Sequence, residues 1–401
     1  MKIIKLALRS ILHFRTYSGI NLLGLALSLA CVITISRYVY GELTVDRFNK
    51  KLDRIFVTTV EISTSPGEAM FSGISDSFSE KTLIEHPGVE NFTNFIRFES
   101  EEIDVDDRKY DAAILLADSN FLKINDYPLI SGIDKLSDLH GALITKNFAQ
   151  KLFGNENPIG KTFRHPTGEI FTISGMIGQL SSKTSLTFDL ILSYQLSNYL
   201  SARPSPQTIV LLYPGVDYRT VNEQYADFIG ETFWGFQMRY QLFPFSKVYF
   251  HKNVSKVFKQ GNYNNVTMLM AVGALILFAG IINYINICTV VVLRRGRELG
   301  IKKVFGAGGQ TIFYQLLVEN LLMTGLALMA AWLIADVAYP LITNILQLDL
   351  FFDFRFNIFL STIILLSLPV ITTLYPFFRF HYSMPLTQYQ KASFDIPPMF
   401  C

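Results

Sequence analysis

The residues best placed to do chemistry are Gly154, Gly160, Lys161 and Thr162, in the stretch GNENPIGKTF at 154–163. Glycines ahead of a Lys-Thr pair are how a phosphate loop works: backbone amides and the lysine face phosphate oxygens, and the hydroxyl faces magnesium. Here the two glycines stand one position too far apart for the GxxxxGK[ST] pattern. A turn followed by a strand starting near Lys161 is the simpler reading. His86, His140, His165 and His251 show no spacing that implies a site, and neither GxSxG nor HExxH occurs. The carboxylates of ESEEIDVDD (99–107) form a run that reads as a solvated hairpin rather than an acid–base pair. Cys31 and Cys288 fall in apolar stretches and Cys401 is terminal, so there is neither a disulfide framework nor a zinc-like Cys/His set. The chain reads as not an enzyme.

What the chain must position these residues with is mostly apolar. Charged residues are 17% of the 401, where a soluble domain carries about a quarter. Mean hydropathy is +0.30. The formal charge of +2 argues against a basic nucleic-acid face. Four stretches have no charge: Thr16 to Ser36, Gln260 to Leu293, Asn320 to Ala335 and Phe356 to Phe378. A helix rises ~1.5 Å per residue against a hydrocarbon core of ~30 Å. Three stretches are long enough to span it, and the third is so if Glu319 lies near an interface or packs against protein.

Basic residues set the orientation. Lys2, Lys5, Arg9 and Arg15 precede the first span, and Arg294, Arg295, Arg297, Lys302 and Lys303 follow the second. Between the third and fourth stand Asp349, Asp353 and only Arg355. The positive-inside rule then puts both termini and the 294–312 loop in the cytoplasm and the large insert outside, where nucleotide is scarce. The first apolar run exceeds the roughly 7–15 residues of a cleaved signal and reads as an uncleaved anchor. SLAC (28–31) is a poor lipidation site, because VITIS continues the apolar run. Arg37 is expected to snorkel at the outer edge, and Pro369 and Pro376 to kink or end the fourth helix.

The expected fold is α-helical with four transmembrane helices and an α+β domain inserted between the first and second. The segments are a cytoplasmic amino-terminal piece (1–16), spans at 17–40, 266–293, 313–338 and 356–379, the exterior domain (41–265), a cytoplasmic elbow (294–312), an exterior loop (339–355) and a cytoplasmic tail (380–401). In the exterior domain 53–62, 89–98, 168–178 and 207–215 read as strands, and 76–88, 145–154 and 218–230 as helices. Pro and Gly near 127–134 and 203–215 suggest two lobes, the second inserted in the first.

The elbow has its own pattern. Ile301, Val304 and Phe305 recur at i, i+3 and i+4, which gives a short helix an apolar face. Glu298 precedes Lys302 in the favourable order for a pair worth ~0.3 kcal/mol. Gly306 suits the left-handed residue that ends a helix. These features describe either a stiff elbow that docks a partner or an ordinary positive-inside loop.

The stretch INYINICTVVVLRRGRELGIKKVFGAGGQTIFYQLLVENLL (282–322) closely resembles the membrane region of FtsX/MacB-type ABC transporter permeases, where RELGIRKVLGA-like residues follow an Asn-rich span end. LALRSILHFRTYSGINLLGLALSLA and YVYGELTVDRFNKKLDRIF are similar to that family's first span and its exit. ALITKNFAQKLFGNENPIGKTF, ISGMIG and SLTFDLILS resemble its periplasmic core domain, of the MacB-like kind, which also accounts for the false phosphate loop. The resemblance covers essentially the whole chain in order. It implies a permease subunit of the cell inner membrane that dimerises, as a homodimer or heterodimer, and sits on a cytosolic ABC ATPase that carries ATP and Mg. No cofactor is then expected in this chain.

The resemblance further implies that ATP-driven closure of the partner moves the periplasmic domain, for export or extraction of a peptide, lipoprotein or small hydrophobic compound. The coupling surface would be Arg294, Arg295, Arg297, Glu298, Gly300, Ile301, Lys303, Val304 and Gly306, whereas Gly308 stands where the family commonly has serine. Relatives with two such units in one chain make this one either a half-length subunit or a fragment. The alternative within the same family is a membrane-anchored sensor or scaffold that regulates an envelope partner such as a cell-wall hydrolase. Partners are thus the ATPase, a second permease copy, membrane lipid, and periplasmic or outer-membrane components in some relatives, with no nucleic acid. Asn283 and Asn286, sharing a face at i and i+3, either bond across a helix contact or dimer, at ~0.6 kcal/mol each, or face headgroup water. Glu319 is given an interface or bundle role.

Overall fold

The computed structural model describes residues 15–65, 68–72, 86–199, 206–226, 230–233, 236–251, 254, 256–306, 308–346 and 352–383. The basic residues before Arg15, most of the helix expected at 76–88, and the tail beyond 383 lie outside them. The chain divides into two compact units, residues 1–41 with 264–401, and residues 42–263.

In the first unit four helices are long and apolar enough to cross a membrane: Arg15–Leu43, Tyr263–Arg294, Gly309–Leu346 and Phe354–Ser383. Leu25, Ala26, Leu29, Ala30 and Ile33 make one buried face of the first helix. It packs on Met323, Ala327, Ala331 and Ala335, which recur every fourth residue on the third, and on Ile364 and Leu368 of the fourth. With lipid as solvent, such contacts depend on close fit rather than on hydrophobic expulsion. The first and second helices touch closely for that reason. A Cβ added at Gly280 would sit 2.7 Å from the Ser28 side chain, and one at Gly273 3.3 Å from Ile35.

The fourth helix runs through Pro369 and Pro376 rather than ending there. The hydroxyls of Thr372 and Thr373 donate to the Leu368 and Pro369 carbonyls at 2.9 and 2.6 Å. Hydroxyls of this kind help keep backbone polar groups satisfied inside a bundle.

The second unit is built on a sheet of order β11-β12-β1-β10-β3-β4-β9-β6-β8-β5, with β2 added on β1 and β7 on β3 and β8. The strands are β1 Ile55–Ser65, β2 Glu68–Ser72, β3 Val89–Val105, β4 Arg108–Ala117, β5 Leu129–Gly132, β6 Gly141–Thr145, β7 Thr162–Arg164, β8 Ile170–Ile177, β9 Leu190–Ser193, β10 Gln207–Leu212, β11 Gly230–Phe233 and β12 Phe236–Pro244. The pairs β4–β9 and β6–β8 are parallel and the rest antiparallel. Central strands read as unbroken apolar runs because both faces are covered. On β4, Leu115 enters one core cluster while Ile114 and Leu116 enter another.

The segments read as lobe boundaries carry β5, at the sheet's edge, and β10, in its interior, so one sheet runs through both. The Pro and Gly residues there stand beside strand ends. Thr145 caps the helix Lys146–Phe153, accepting the Phe148 amide. Asp106 and Asp107, with φ of 50° and 60°, make the tight turn between β3 and β4, so the acidic run is an exposed hairpin tip. In GNENPIGKTF, the Gly160 amide donates to Ile173 O and the Lys161 amide to Pro158 O. The loop's own fold uses those amides, and β7 follows at Thr162.

Candidate functional site: the elbow between the second and third helices

The second helix ends at Arg294, and a short helix, Gly296–Val304, follows almost without interruption. The Arg295 amide still bonds Val291 O, and the Leu299 amide bonds Arg295 O. Gly306, at φ 89°, turns the chain into the third helix at Gly309. A side chain with a Cβ is strained at that angle, which is why glycine stands there.

The inner side of the elbow helix is held twice. Leu299, fully buried, packs with Val292, Ile312 and Leu316, and Phe377 closes the cluster. Beside it runs a closed polar circuit. Arg295, 5% exposed, donates through Nη1 to Glu319 Oε2 at 2.6 Å and through Nε to Glu298 Oε2 at 3.1 Å. Lys302 Nζ donates to Glu298 Oε1 at 2.8 Å and to Gln315 Oε1 at 3.2 Å. Gln315 Nε2 returns the circuit to Glu319 Oε1 at 3.2 Å. Five side chains therefore tie the elbow to the first turns of the third helix.

The charges are set by that circuit. Burial opposes ionisation of Glu298, but the bonds from Arg295 and Lys302 outweigh it and bring the carboxyl down to about 2. Burial also opposes the Arg295 guanidinium, and its bonds to Glu319 and Glu298 more than compensate, raising it. Both groups are ionised throughout the physiological range.

Among the described residues, the outer side is open. Ile301, Val304 and Phe305 are 59%, 81% and 87% exposed. Among the described residues, and apart from chain neighbours and the helix's own backbone, no atom lies within 4 Å of a Cβ built on Gly300 or Gly306. The helix thus presents a small apolar knob at one end of a bundle and is braced from behind.

Of the residues marked from the sequence, Gly300, Ile301, Val304 and Gly306 fall on this open side. Arg295 does not: it is buried in the circuit, because Glu319 lies within reach one helix away. Glu298 also turns toward the circuit and is half exposed. Arg294 stacks over the Tyr17 ring at 4.8 Å. Arg297 and Lys303 belong to the elbow helix, but their side chains lie outside the described residues. Asn283 and Asn286 are exposed on the second helix, and the Asn283 Nδ2 lies 3.1 Å from a Cβ built on Gly24 of the first. Glu319, 12% exposed, accepts from Arg295 and Gln315.

Arg37, expected to snorkel, is instead 4% exposed and held inside. It pairs with Asp336 at 3.0 Å and lies 4.6 Å above the Trp332 ring. At the same end of the bundle, Tyr40 stacks on Phe356 and its hydroxyl donates to Asp353 at 2.9 Å. Among the described residues, no cluster of three or more His, Cys, Asp or Glu could hold a metal.

Two family signatures match this chain. One, the MacB-like periplasmic core domain, matches residues 18–227, and the other, the FtsX-like permease C-terminal region, matches 270–383. The chain belongs to the FtsX/MacB-type ABC transporter permease family. A Bacillus subtilis (strain 168) relative, the uncharacterized ABC transporter permease YknZ, is 22% identical over 342 residues, 80% of this chain and 82% of that one.

Among solved structures, a domain of a Porphyromonas gingivalis protein described as a permease is 23% identical and has a TM-score of 0.44, covering 55% of this chain and 98% of that one. The extracellular domain of the ABC-type transporter YknZ from Gram-positive bacteria gives 14% and 0.38, over 47% and 98%. The assignment rests on the two signatures and not on these scores. A permease of this family is a membrane protein, and membership implies an ATPase partner.

Proposed function

We propose that the elbow is the surface through which a cytosolic ABC ATPase drives this permease. The observation that carries this is the division of labour on one short helix. Ile301, Val304 and Phe305 stand open while Leu299 and the Arg295–Glu298–Lys302–Gln315–Glu319 circuit lock the opposite side. An apolar knob buries readily in a partner's groove, and a braced one passes force on to the helices instead of yielding.

On this reading both termini and the elbow are cytoplasmic, the mixed domain is periplasmic, and the membrane is the bacterial inner membrane. Two permease copies, identical or not, sit on ATPase subunits that carry ATP and Mg, with no cofactor in this chain. ATP-driven closure of the ATPase moves the periplasmic domains to export or extract a peptide, lipoprotein or small hydrophobic compound. The arginine-rich end of the second helix and the acidic outer loop agree with that orientation.

The test is affinity purification from membranes with ATP hydrolysis as the readout. Wild type is expected to carry a nucleotide-hydrolysing subunit, and Gly300→Trp or Phe305→Asp to lose it. Retention by both variants contradicts the assignment.

A further inference from the structure

The second unit runs from Glu42 to Tyr263, so the chain enters it at the end of the first helix and leaves it at the start of the second. Within that unit, both ends are held by one loop, 182–185, which lies between β8 and β9.

At the entry, Glu42 is 5% exposed. Its carboxylate accepts from Lys183 Nζ at 2.8 Å and from the Tyr249 hydroxyl at 2.6 Å. Further on, the Asp46 amide donates to Lys183 O at 2.7 Å, and Asp46 Oδ1 accepts the Ser185 amide at 2.9 Å. The Phe48 amide donates to Ser182 Oγ at 2.9 Å. At the exit, the Lys259 amide donates to Ser185 O at 2.7 Å and the Gly261 amide to Tyr249 O at 2.8 Å. A Cβ built on Gly261 would overlap the Tyr249 ring, so glycine is what lets the departing chain lie this close.

Two residues therefore touch both ends. Ser185 binds the entering chain through its N–H and the departing chain through its carbonyl. Tyr249 does the same through its hydroxyl and its carbonyl. The next residue of the loop, Leu186, is 1% exposed and packs in one core cluster with Leu115 of β4 and Ile191 of β9. A buried carboxylate that answers two donors from different segments is directional in a way that apolar contact is not.

We propose that loop 182–185, with Glu42 and Tyr249, is a clasp that makes the two ends of this unit move as one body. The sheet then follows the joint displacement of the first and second helices rather than that of either alone. Every bond of the clasp lies inside the second unit; its use in transport rests on the ATPase reading above.

Hydrogen exchange on the full chain in lipid nanodiscs, resolved to single amides, tests the clasp without any ATPase. Residues that open as one unit respond together when one of their bonds is removed. Glu42→Ala removes the carboxylate that Lys183 and Tyr249 share, and should speed exchange at the Asp46, Ser185, Lys259 and Gly261 amides alike by at least about tenfold. The Gly160 and Thr172 amides, bonded to Ile173 O and His140 O, should keep their wild-type rates. Tyr249→Phe keeps the ring against Gly261 and removes one hydrogen bond, and should speed Asp46 and Ser185 roughly fivefold. Acceleration at Asp46 with Lys259 at its wild-type rate overturns the clasp, as does a Tyr249→Phe chain whose Asp46 amide is unchanged. Equal acceleration at Gly160 and Thr172 overturns it too, because the loss is then global.

Discussion

Removing either end of the Arg295–Glu319 pair should weaken the bundle far more than removing any outer charge of the elbow. The two side chains are 5% and 12% exposed and meet at 2.6 Å. Breaking one partner out of a buried pair costs about 3–5 kcal/mol, because the survivor is left charged and desolvated. Here each survivor keeps a second contact, Arg295 to Glu298 and Glu319 to Gln315. The lower end, about 3 kcal/mol, is therefore expected for Arg295→Met and for Glu319→Gln.

The double variant strands neither charge, so it should cost about 4 kcal/mol rather than 6, a coupling of about 2. Lys302→Met, at the half-exposed side of the circuit, should cost under about 1 kcal/mol. The assay is reversible unfolding of the purified chain in mixed micelles by denaturing detergent, read from helical circular dichroism. Additive single-variant costs, with coupling below about 0.5 kcal/mol, would refute the closed circuit.

Val304→Asp and Phe305→Asp should leave that unfolding curve within about 0.5 kcal/mol of wild type while abolishing ATPase capture, since both side chains are open to solvent. Gly280→Val should cost about 1–3 kcal/mol because its Cβ meets Ser28 at 2.7 Å, whereas Gly308→Ala, with nothing within 4 Å, should be tolerated; both are read from the same unfolding curve. Burial raises the Asp46 carboxyl, against bonds from Ser185 and Thr184 that lower it. A carboxyl raised in the folded state destabilises the fold once pH climbs above its unfolded value, about 3.9. Asp46→Asn should therefore stabilise the full chain at neutral pH, and the gain should fade as pH falls toward about 4. A gain independent of pH would contradict this.

The spans and the elbow's ends were legible because helix length, charge asymmetry and a left-handed glycine are local signals. The two-sided strands were legible for the same reason, since Val and Ile runs such as TIVLL announce themselves. The circuit was not. Arg295 and Glu319 are far apart in sequence on different helices, and only packing through Leu299 and Leu316 brings them together. A composition rule assigns arginine at a span end to headgroups, and so misplaces Arg37, which is buried.

The order of the strands was not legible either. Pro and Gly mark where a strand ends, and pairing across the sheet decides whether it is interior or edge. A better clue was available at Gln315 and Glu319, polar residues at i and i+4 in an otherwise apolar helix. Such a pair pointed to a partner from a neighbouring element.

The central claim is that Phe305 and its neighbours contact an ATP-binding subunit. A photo-crosslinking phenylalanine analogue placed at 305, irradiated in intact membranes, tests it most directly. The account predicts an adduct whose partner labels with radioactive azido-ATP, and none from the same analogue at buried Leu299. An adduct only with an extracytoplasmic protein, or equal yields from 305 and 299, would contradict it.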